Sequence, residues 1–293
     1  METTKIKSIT IEATINAPID KVWERWTRPE HILHWNNASD DWFTPRAEND
    51  LRVGGRFTSR MEARDGSFGF DFGGVYTSVK TNDHIMYTMD DDRKVKVVFQ
   101  SQGNNTLITE TFEPESENSP ELQRDGWQSI LNNFKKYAEN SGDREILHFD
   151  ININAPVKVV FNRMFEDKYW RLWTAEFSPT SHYKGSWEKG SKILFLGDDP
   201  EGNMGGMVSR IRENIPDKFV SIEHLGFVKD GEEITSGPQV EDWAGVLENY
   251  SFADHQGHTL LTVTMDSNQE FKPYFQETWP KALKKLKLLC ETN

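Results

Sequence analysis

The amino-acid sequence predicts an α+β protein made of two copies of one domain, each a curved antiparallel sheet packed around a long C-terminal helix. The first observation is a repeat, because Asn-Ala-Pro occurs at residues 16–18 and again at 154–156. The second is the order that follows each copy: short helices, closely spaced strands and one long helix. The third is a Trp inside each long helix, Trp127 and Trp279. A duplicated domain accounts for all three observations.

The elements of the first copy follow from the spacing of its apolar residues. Apolar and polar residues alternate over 9–15, as in a half-buried strand. Residues 19–26 carry apolar side chains at i, i+3, i+4 and i+7, which form one helix face, and 30–35 suit a second short helix. Strand-like runs divided by Gly, Asn and Asp turns fill 51–112 and indicate an antiparallel meander. An apolar stripe then predicts a long helix over about residues 121–137.

The second copy repeats this order with two differences. Residues 225–247 form a longer excursion between meander strands, and Pro280 is expected to kink or start the last helix. A short polar linker at 139–144 separates the copies. A strand, two short helices, a meander and a long helix make a helix-grip fold, whose gap between sheet and helix is commonly a cavity. We therefore expect two helix-grip domains, at residues 1–140 and 145–293.

Composition narrows the possible functions. The chain has 293 residues, with 47 Asp and Glu against 34 Lys and Arg and a net charge of −13. This argues against binding to nucleic acid or to an anionic membrane surface, since both need clustered basic residues. No segment approaches the ~18 apolar residues of a membrane span, and the N-terminus lacks the apolar core of a signal peptide, so a cytoplasmic location is expected. The single Cys290 cannot form an internal disulfide.

Several stretches of the first copy resemble a known family. They are Asn-Ala-Pro-Ile-Asp-Lys-Val-Trp at 16–23, Leu-Arg-Val-Gly-Gly-Arg-Phe at 51–57, Phe-Asp-Phe-Gly-Gly-Val-Tyr at 70–76, Thr-Glu-Thr-Phe-Glu-Pro-Glu at 109–115, and Gly-Trp-Gln-Ser-Ile-Leu-Asn-Asn-Phe at 126–134. Over residues 8–139 the chain is similar to the START-like, or SRPBCC, superfamily, and more narrowly to domains named after the C-terminal domain of the heat-shock-90 ATPase activator. The resemblance implies a hydrophobic ligand cavity. It implies no single chemistry, because this fold hosts lipid carriers, cyclases, hydrolases and chaperone regulators.

Strand alternation places one carboxylate on the inward face of each sheet. Glu110 shares the face of Ile108 and Phe112, and Glu248 shares the face of Tyr250. Each could be a polar anchor or general acid inside a ligand pocket, with its pKa raised by lost hydration. Each could equally be a strand-end carboxylate that reaches solvent or pairs with an Arg. The sequence favours the second interpretation, since ionisable residues at pocket mouths are usually solvated.

Aromatic residues are numerous, with 10 Trp and 18 Phe. Rigid rings suit a flat or lipid-like ligand, although core packing is the more common role of any single ring. The candidates around the first cavity are Trp35, Trp42, Phe43, Phe70, Phe72, Tyr87, Trp127 and Phe134. Their counterparts in the second copy are Trp173, Trp187, Phe195, Trp243, Tyr250 and Trp279.

The sequence offers no motif for catalysis, a cofactor or a metal. His31 and His34 could share a helix face, but two His residues without a third ligand make a poor metal site. No phosphate loop, zinc-protease motif or nucleophile elbow occurs. We expect no cofactor, and a protein that binds a small hydrophobic ligand. Two alternatives stay open: a regulator that binds a protein partner such as a chaperone, and a cyclase or hydrolase using Glu110 or Glu248 as acid or base.

Overall fold

The chain folds into two compact units, Met1–Gly142 and Asp143–Asn293. The structure, a computed structural model, describes residues 8–140, 144–199, 201–229, 231–240 and 244–292, without the side chains at positions 140 and 144. Each unit is a curled antiparallel sheet with helices, which confirms the predicted α+β helix-grip class. Within these ranges no helix is both long and apolar enough to cross a membrane.

Unit 1 is built from seven strands and three helices in its described residues. They are β1 (Ile9–Ile15), α1 (Ile19–Thr27), α2 (Pro29–Trp35), β2 (Trp42–Asn49), β3 (Arg56–Ala63), β4 (Gly69–Lys80), β5 (His84–Met89), β6 (Lys94–Gln102), β7 (Asn105–Phe112) and α3 (Pro120–Asn140). The strand order is β1-β7-β6-β5-β4-β3-β2, and every neighbouring pair is antiparallel. Along α3, Leu131, Phe134 and Ala138 are completely buried, as the apolar stripe predicted.

Strand β2 was not predicted. Pro45 lies inside it, and its register with β3 shifts between Phe43 and Arg46. A proline is tolerated here because β2 is the edge strand of the sheet, where one row of backbone groups has no neighbour to pair with. The same proline and the irregular register hide the alternation that marks a strand in the sequence.

In the residues that the structure describes, unit 2 repeats the arrangement with one added strand. Its elements are β8 (Arg144–Ile153), α4 (Val157–Phe165), α5 (Asp167–Trp173), β9 (His182–Gly185), β10 (Lys192–Asp198), β11 (Met204–Ile215), β12 (Phe219–Lys229), β13 (Glu232–Ile234), β14 (Val246–His255), β15 (His258–Asn268) and α6 (Lys272–Glu291). Single 3-10 turns occur at Thr174–Glu176 and Pro238–Val240. The order is β8-β15-β14-β12-β11-β10-β9, with β13 paired to β12. The predicted excursion therefore contains the short strand β13.

Pro280 does not start the last helix. Helix α6 begins at Lys272 and continues through Pro280. A proline inside a helix removes one backbone donor and crowds the preceding turn. The helix persists here because its residues around the proline, including Trp279 and Ala282, are buried in the core of unit 2.

The repeated Gly-Gly marks places where two strands leave no room for a side chain. A Cβ on Gly74 of β4 would lie 2.5 Å from the carbonyl oxygen of Thr88. In unit 2, Gly206 of β11 has a φ of +152°, and a Cβ there would lie 1.9 Å from the carbonyl oxygen of Phe195. Only glycine combines such contact with such a φ at low cost. The motif therefore belongs to the fold rather than to the ligand chemistry.

The Asn-Ala-Pro repeat is also tied into each sheet by one hydrogen bond. The hydroxyl of Thr106 donates to the carbonyl of Ala17 at 2.9 Å, and the hydroxyl of Thr259 donates to the carbonyl of Ala155 at 2.7 Å. Both threonines are completely buried. Each bond satisfies a backbone carbonyl in the turn between the first strand and the first helix.

Candidate functional site

Unit 1 contains a cavity of about 300 Å³. Its walls come from strands β2 to β5 and β7 and from helices α1, α2 and α3. Its aromatic lining residues are Trp26, Trp35, Phe57, Phe70, Phe72, Tyr76, Tyr87 and Trp127. Its charged and amide lining residues are Asn36, Glu48, Arg93 and Glu110. The helix-grip fold therefore leaves an aromatic chamber in unit 1, as the sequence suggested.

The ring of Phe57 lies at the centre of the aromatic wall. Its centroid is 4.8 Å from that of Tyr87, 5.2 Å from that of Tyr76 and 5.8 Å from that of Phe72. The rings of Trp26 and Trp35 stack with centroids 5.0 Å apart. Contacts of this kind fix the orientation of each ring. The cavity therefore has walls of defined shape.

Glu110 is the buried one of the two lining carboxylates, since the side chain of Glu48 is 76% exposed. In β7 it pairs with Ile11 on one side and Val97 on the other, and both neighbours are buried apolar residues. Glu110 itself is 6% exposed, and this burial raises its pKa from its usual 4.5 to about 8. Among the described residues, no group forms a hydrogen bond or an ion pair with its carboxyl. At neutral pH the side chain is therefore mainly a neutral acid.

The interpretation that the sequence favoured for Glu110 was wrong. The carboxyl is buried rather than solvated, and no arginine in the described part of the chain pairs with it. Arg93 lines the same cavity, but its guanidinium is 2.8 Å from the carboxylate of Asp91 and donates to the carbonyl of Glu113 at 3.2 Å. Because Asp91 and Glu113 hold the guanidinium of Arg93, it does not form an ion pair with the carboxyl of Glu110.

Most of the predicted aromatic residues of unit 1 meet at this cavity. Those that line it are Trp35, Phe70, Phe72, Tyr87 and Trp127. Trp42 and Phe43 do not, because both lie on the irregular edge strand, where Trp42 contacts the ring of Phe68 and Phe43 lies under the guanidinium of Arg64. Phe134 does not line it either. Its ring is buried between Trp26 and Trp35, 4.8 Å and 4.9 Å away, and belongs to the core.

Three aromatic lining residues were not predicted: Trp26, Phe57 and Tyr76. Trp26 ends the i, i+3, i+4, i+7 series on α1, so the helix pattern placed it in the core without showing the cavity. Phe57 and Tyr76 each lie two residues after a Gly-Gly pair, Gly54-Gly55 and Gly73-Gly74. Strands β3 and β4 are neighbours, and Phe57 pairs with Gly74. An aromatic residue close to a Gly-Gly pair was the sequence feature that could have indicated these two lining residues.

Unit 2 contains a smaller cavity of about 180 Å³. Its lining residues are Trp170, Trp173, Thr174, Phe177, Ser181, Phe195, Met207, His224, Glu248, Tyr250, Phe275 and Trp279. Of the predicted residues, Trp173, Phe195, Glu248, Tyr250 and Trp279 line this cavity. Trp187 is not among them, because its ring packs against Phe165 and Trp170 at 4.5 Å and 5.3 Å. Trp243 lies outside the described residues.

Glu248 and His224 form the polar side of the second cavity. The carboxyl of Glu248 accepts a hydrogen bond from the hydroxyl of Tyr250, and its other oxygen lies 3.6 Å from Nε2 of His224. Nδ1 of His224 is hydrogen-bonded to the hydroxyl of Ser209 at 2.9 Å. The sequence analysis placed Glu248 on this face but did not single out His224, which lies in the middle of β12 on the same face as Ile222.

The two predicted helix-face histidines lie beside a tyrosine. Nδ1 of His31 is 2.6 Å from the hydroxyl of Tyr137, and the ring of His34 stacks on the same tyrosine with centroids 5.2 Å apart. In the part of the chain that the structure describes, no three His, Cys, Asp or Glu side chains are grouped so that they could hold a metal ion.

The first unit of the chain closely resembles known proteins in sequence. Residues 16–139 match the family described as Activator of Hsp90 ATPase homolog 1-like protein. The AHSA1-like protein from Aeromonas hydrophila is 47% identical, over 46% of this chain and 94% of its own, with a TM-score of 0.45. A protein from Cytophaga hutchinsonii is 55% identical, over 46% of this chain and 93% of its own, with a TM-score of 0.42. No curated protein matches the chain.

Proteins of two domains match the whole chain in fold. The di-domain ARO/CYC protein StfQ from the steffimycin biosynthetic pathway is 11% identical over 97% of this chain and 98% of its own, with a TM-score of 0.57. The di-domain ARO/CYC protein BexL from the BE-7585A biosynthetic pathway is 11% identical over 98% of this chain and all of its own, with a TM-score of 0.55. At such identity the likeness concerns the fold alone, and it supports the tandem arrangement of two helix-grip units.

Proposed function

Since this chain belongs to the family of AHSA1-like proteins, within the START-like superfamily, we propose that unit 1 binds a small, mainly apolar ligand that carries a hydrogen-bond acceptor. The observation that supports this most is Glu110, a buried carboxyl that has no partner among the described residues and faces an aromatic cavity. Buried polar groups in proteins are nearly always hydrogen-bonded, and leaving one without a partner costs about 1–3 kcal/mol. A ligand that supplies the missing partner removes this cost on binding.

The protonation of Glu110 sets the chemistry of that partner. With a pKa raised by burial to about 8, about nine in ten carboxyls carry a proton at pH 7. The O–H group then donates to a carbonyl or ether oxygen of the ligand. A charged ligand group is disfavoured, because the surrounding rings offer little compensation for its lost hydration.

The volume of the cavity limits the size of the ligand. Ligand pockets commonly measure about 300–1,000 Å³, and a cavity of about 150 Å³ is enough for one benzene ring. The 300 Å³ of unit 1 therefore suits a compact molecule of about two fused rings. Because Trp35, Phe72 and Trp127 line the cavity, flat faces are available for stacking.

The test compares two probes of the same shape, 2-acetylnaphthalene and 2-ethylnaphthalene, which differ in the carbonyl oxygen. Binding to the full chain is followed by tryptophan fluorescence. We expect the ketone to bind at least tenfold more tightly, and Glu110→Val to abolish the difference; valine is the residue that unit 2 carries at this position of the sheet, Val263. Glu110→Gln keeps a donor and should keep the preference.

A matched control is Glu12→Gln, which changes an exposed carboxylate on the neighbouring strand β1. It should leave both affinities unchanged. Equal affinity of the wild type for the two probes, or an unchanged preference in Glu110→Val, would contradict the proposal. Native mass spectrometry of the purified protein, beside a denatured sample, then identifies any ligand that copurifies.

The two alternative functions stay predictions. The description of the matched family supports a chaperone partner of the Hsp90 type, and none of the described contacts bears on such a partner. An enzymatic role is supported by Glu110, because an acid that keeps its proton near pH 7 can act as a general acid. Loss of turnover in Glu110→Gln with unchanged binding would distinguish catalysis from binding.

A further inference from the structure

We infer that unit 2 holds a second binding site, built for the hydroxyl group of a compact aromatic molecule of the phenol class, which lies between Glu248 and His224. This inference does not depend on the ligand of unit 1, because it rests on different residues and on a separate cavity. The site combines two polar side chains at a defined distance with a chamber whose other walls are aromatic.

The register of the sheet places the two polar side chains together. Strands β12 and β14 are neighbours, with Ile222 opposite Glu248 and His224 opposite Val246. His224 and Glu248 are therefore diagonal neighbours on one face of the sheet, and both line the cavity. Their side chains are only 8% and 15% exposed. Such burial is unusual for a histidine and a glutamate unless both have a structural or binding role.

Each side chain is held on its far side by a buried hydroxyl. Ser209, which is completely buried, is hydrogen-bonded to Nδ1 of His224 at 2.9 Å. The hydroxyl of Tyr250 donates to Oε1 of Glu248. The carboxylate oxygen of Glu248, 3.6 Å from Nε2, favours the His224 tautomer with its proton on Nε2, in which the Ser209 hydroxyl donates to Nδ1. The two atoms left for a further partner are thus a donor, Nε2, and an acceptor, Oε2 of Glu248.

The distance between these two atoms leaves a gap for one oxygen. Nε2 and Oε2 are 3.6 Å apart, which is too long for a direct hydrogen bond. An oxygen to one side of the gap can lie about 2.8 Å from both atoms. A hydroxyl fits this place because it donates to Oε2 and accepts from Nε2 with one atom. A carbonyl can only accept, and an ammonium can only donate, so each would leave one protein atom without a partner.

The rest of the cavity selects an aromatic ring. Trp173, Phe195 and Trp279 are among its walls, and its volume of about 180 Å³ slightly exceeds the roughly 150 Å³ that accommodates benzene. A single substituted ring fits this space. In unit 1 the corresponding sheet positions carry Val95 and Met89, so this polar pair occurs in unit 2 and is not a general property of the duplicated fold.

The test uses p-cresol and toluene, which differ by one hydroxyl, as probes in calorimetric titrations of the full chain. We expect p-cresol to bind the wild type at least tenfold more tightly than toluene. Glu248→Val and His224→Met, which install the residues of unit 1, should each lower p-cresol affinity at least tenfold and leave toluene affinity within twofold. Asp254→Asn, on an exposed part of β14, should change neither affinity.

Three results would overturn the inference. The first is equal affinity of the wild type for the two probes, which is also what a site that merely holds water would give. The second is an unchanged preference for p-cresol in both cavity variants. The third is loss of the preference in Glu110→Val, since p-cresol would then bind in unit 1. Circular dichroism shows whether the two cavity variants fold. If neither folds, the inference is still tested by the affinities of the wild type for the two probes and by the preference that Glu110→Val retains.

Discussion

The indole ring of Trp127 lies parallel to the phenyl ring of Phe112, with centroids 4.1 Å apart and 13° between the planes. This stack joins the long helix α3 to strand β7 at the wall of the first cavity. In unit 2 the equivalent residues are Trp279 and Met265, and there Nε1–H of the indole points to the methionine sulfur at 2.9 Å. The two units thus attach their last helices at the same positions through different contacts.

Removing the indole of Trp127 should destabilise unit 1. A buried Trp→Ala change typically costs about 3–5 kcal/mol, and because Trp127 is only half-buried we expect about 2–3 kcal/mol from Trp127→Ala. Trp127→Phe keeps a stacked ring and should cost about half as much. Urea unfolding followed by circular dichroism measures both values. Arg124→Ala, at an exposed position of α3, is the control and should change the free energy of unfolding little.

Stability should depend on pH through Glu110. Its pKa is raised by burial from 4.5 in a solvated chain to about 8 in the folded protein. Between these values the unfolded chain is ionised while the folded protein keeps its proton, so the free energy of unfolding falls as pH rises. The slope is about 1.4 kcal/mol per pH unit for one group, and the loss is complete just above pH 8.

The measurement compares urea unfolding of the wild type with Glu110→Gln at pH 5, 7 and 9. Because glutamine does not titrate, the variant should gain stability relative to the wild type by on the order of 3 to 4 kcal/mol from pH 5 to pH 9. Glu12→Gln, which alters an exposed carboxylate, should run parallel to the wild type. Parallel curves for Glu110→Gln would mean that Glu110 is solvated.

Periodicity in the sequence predicted most of the architecture, because alternating and helical spacing record which side of an element is buried. It missed β2, where Pro45 breaks the pattern, and the expectation that Pro280 could start the last helix was wrong, because burial of the surrounding helix outweighs the local cost of proline. Both failures arise where tertiary contacts override local preference.

The site was less predictable than the fold. Register alone placed Glu110 on the inward face, where it lines the cavity, but the sequence could not show that the guanidinium of Arg93 is held by Asp91. In unit 2 the alternation indicated Glu248 but not His224, since their proximity depends on how β12 and β14 pair. Distances between strands are set by the whole sheet and are not encoded in any one segment.

Thr106 and Thr259, which bond the Asn-Ala-Pro turns to the sheets, should contribute similarly to the free energy of unfolding. Thr106→Val and Thr259→Val keep the shape of the side chain but leave the carbonyls of Ala17 and Ala155 without their donor. Since both threonines are completely buried, each change should cost about 1–3 kcal/mol. The control is Thr109→Val, a half-buried position of β7 that faces the other side of the sheet. A cost below that of the control would show that another group replaces the lost donor.

Cys290 should be nearly inert in the folded protein. Burial near the end of α6 raises its pKa to about 12, against the weaker opposite effect of the nearby Arg163 charge. The thiolate is the reactive species, so at pH 8 only about one thiol in ten thousand is reactive in the folded state, compared with about one in ten for an unfolded chain. Labelling by Ellman's reagent should therefore be about a thousandfold slower in buffer than in urea. Leu288→Cys in a Cys290→Ala background is the matched control, because position 288 of the same helix is 58% exposed and should react at nearly the unfolded rate. Comparable rates for Cys290 in buffer and in urea would instead mean that the last turn of α6 opens readily.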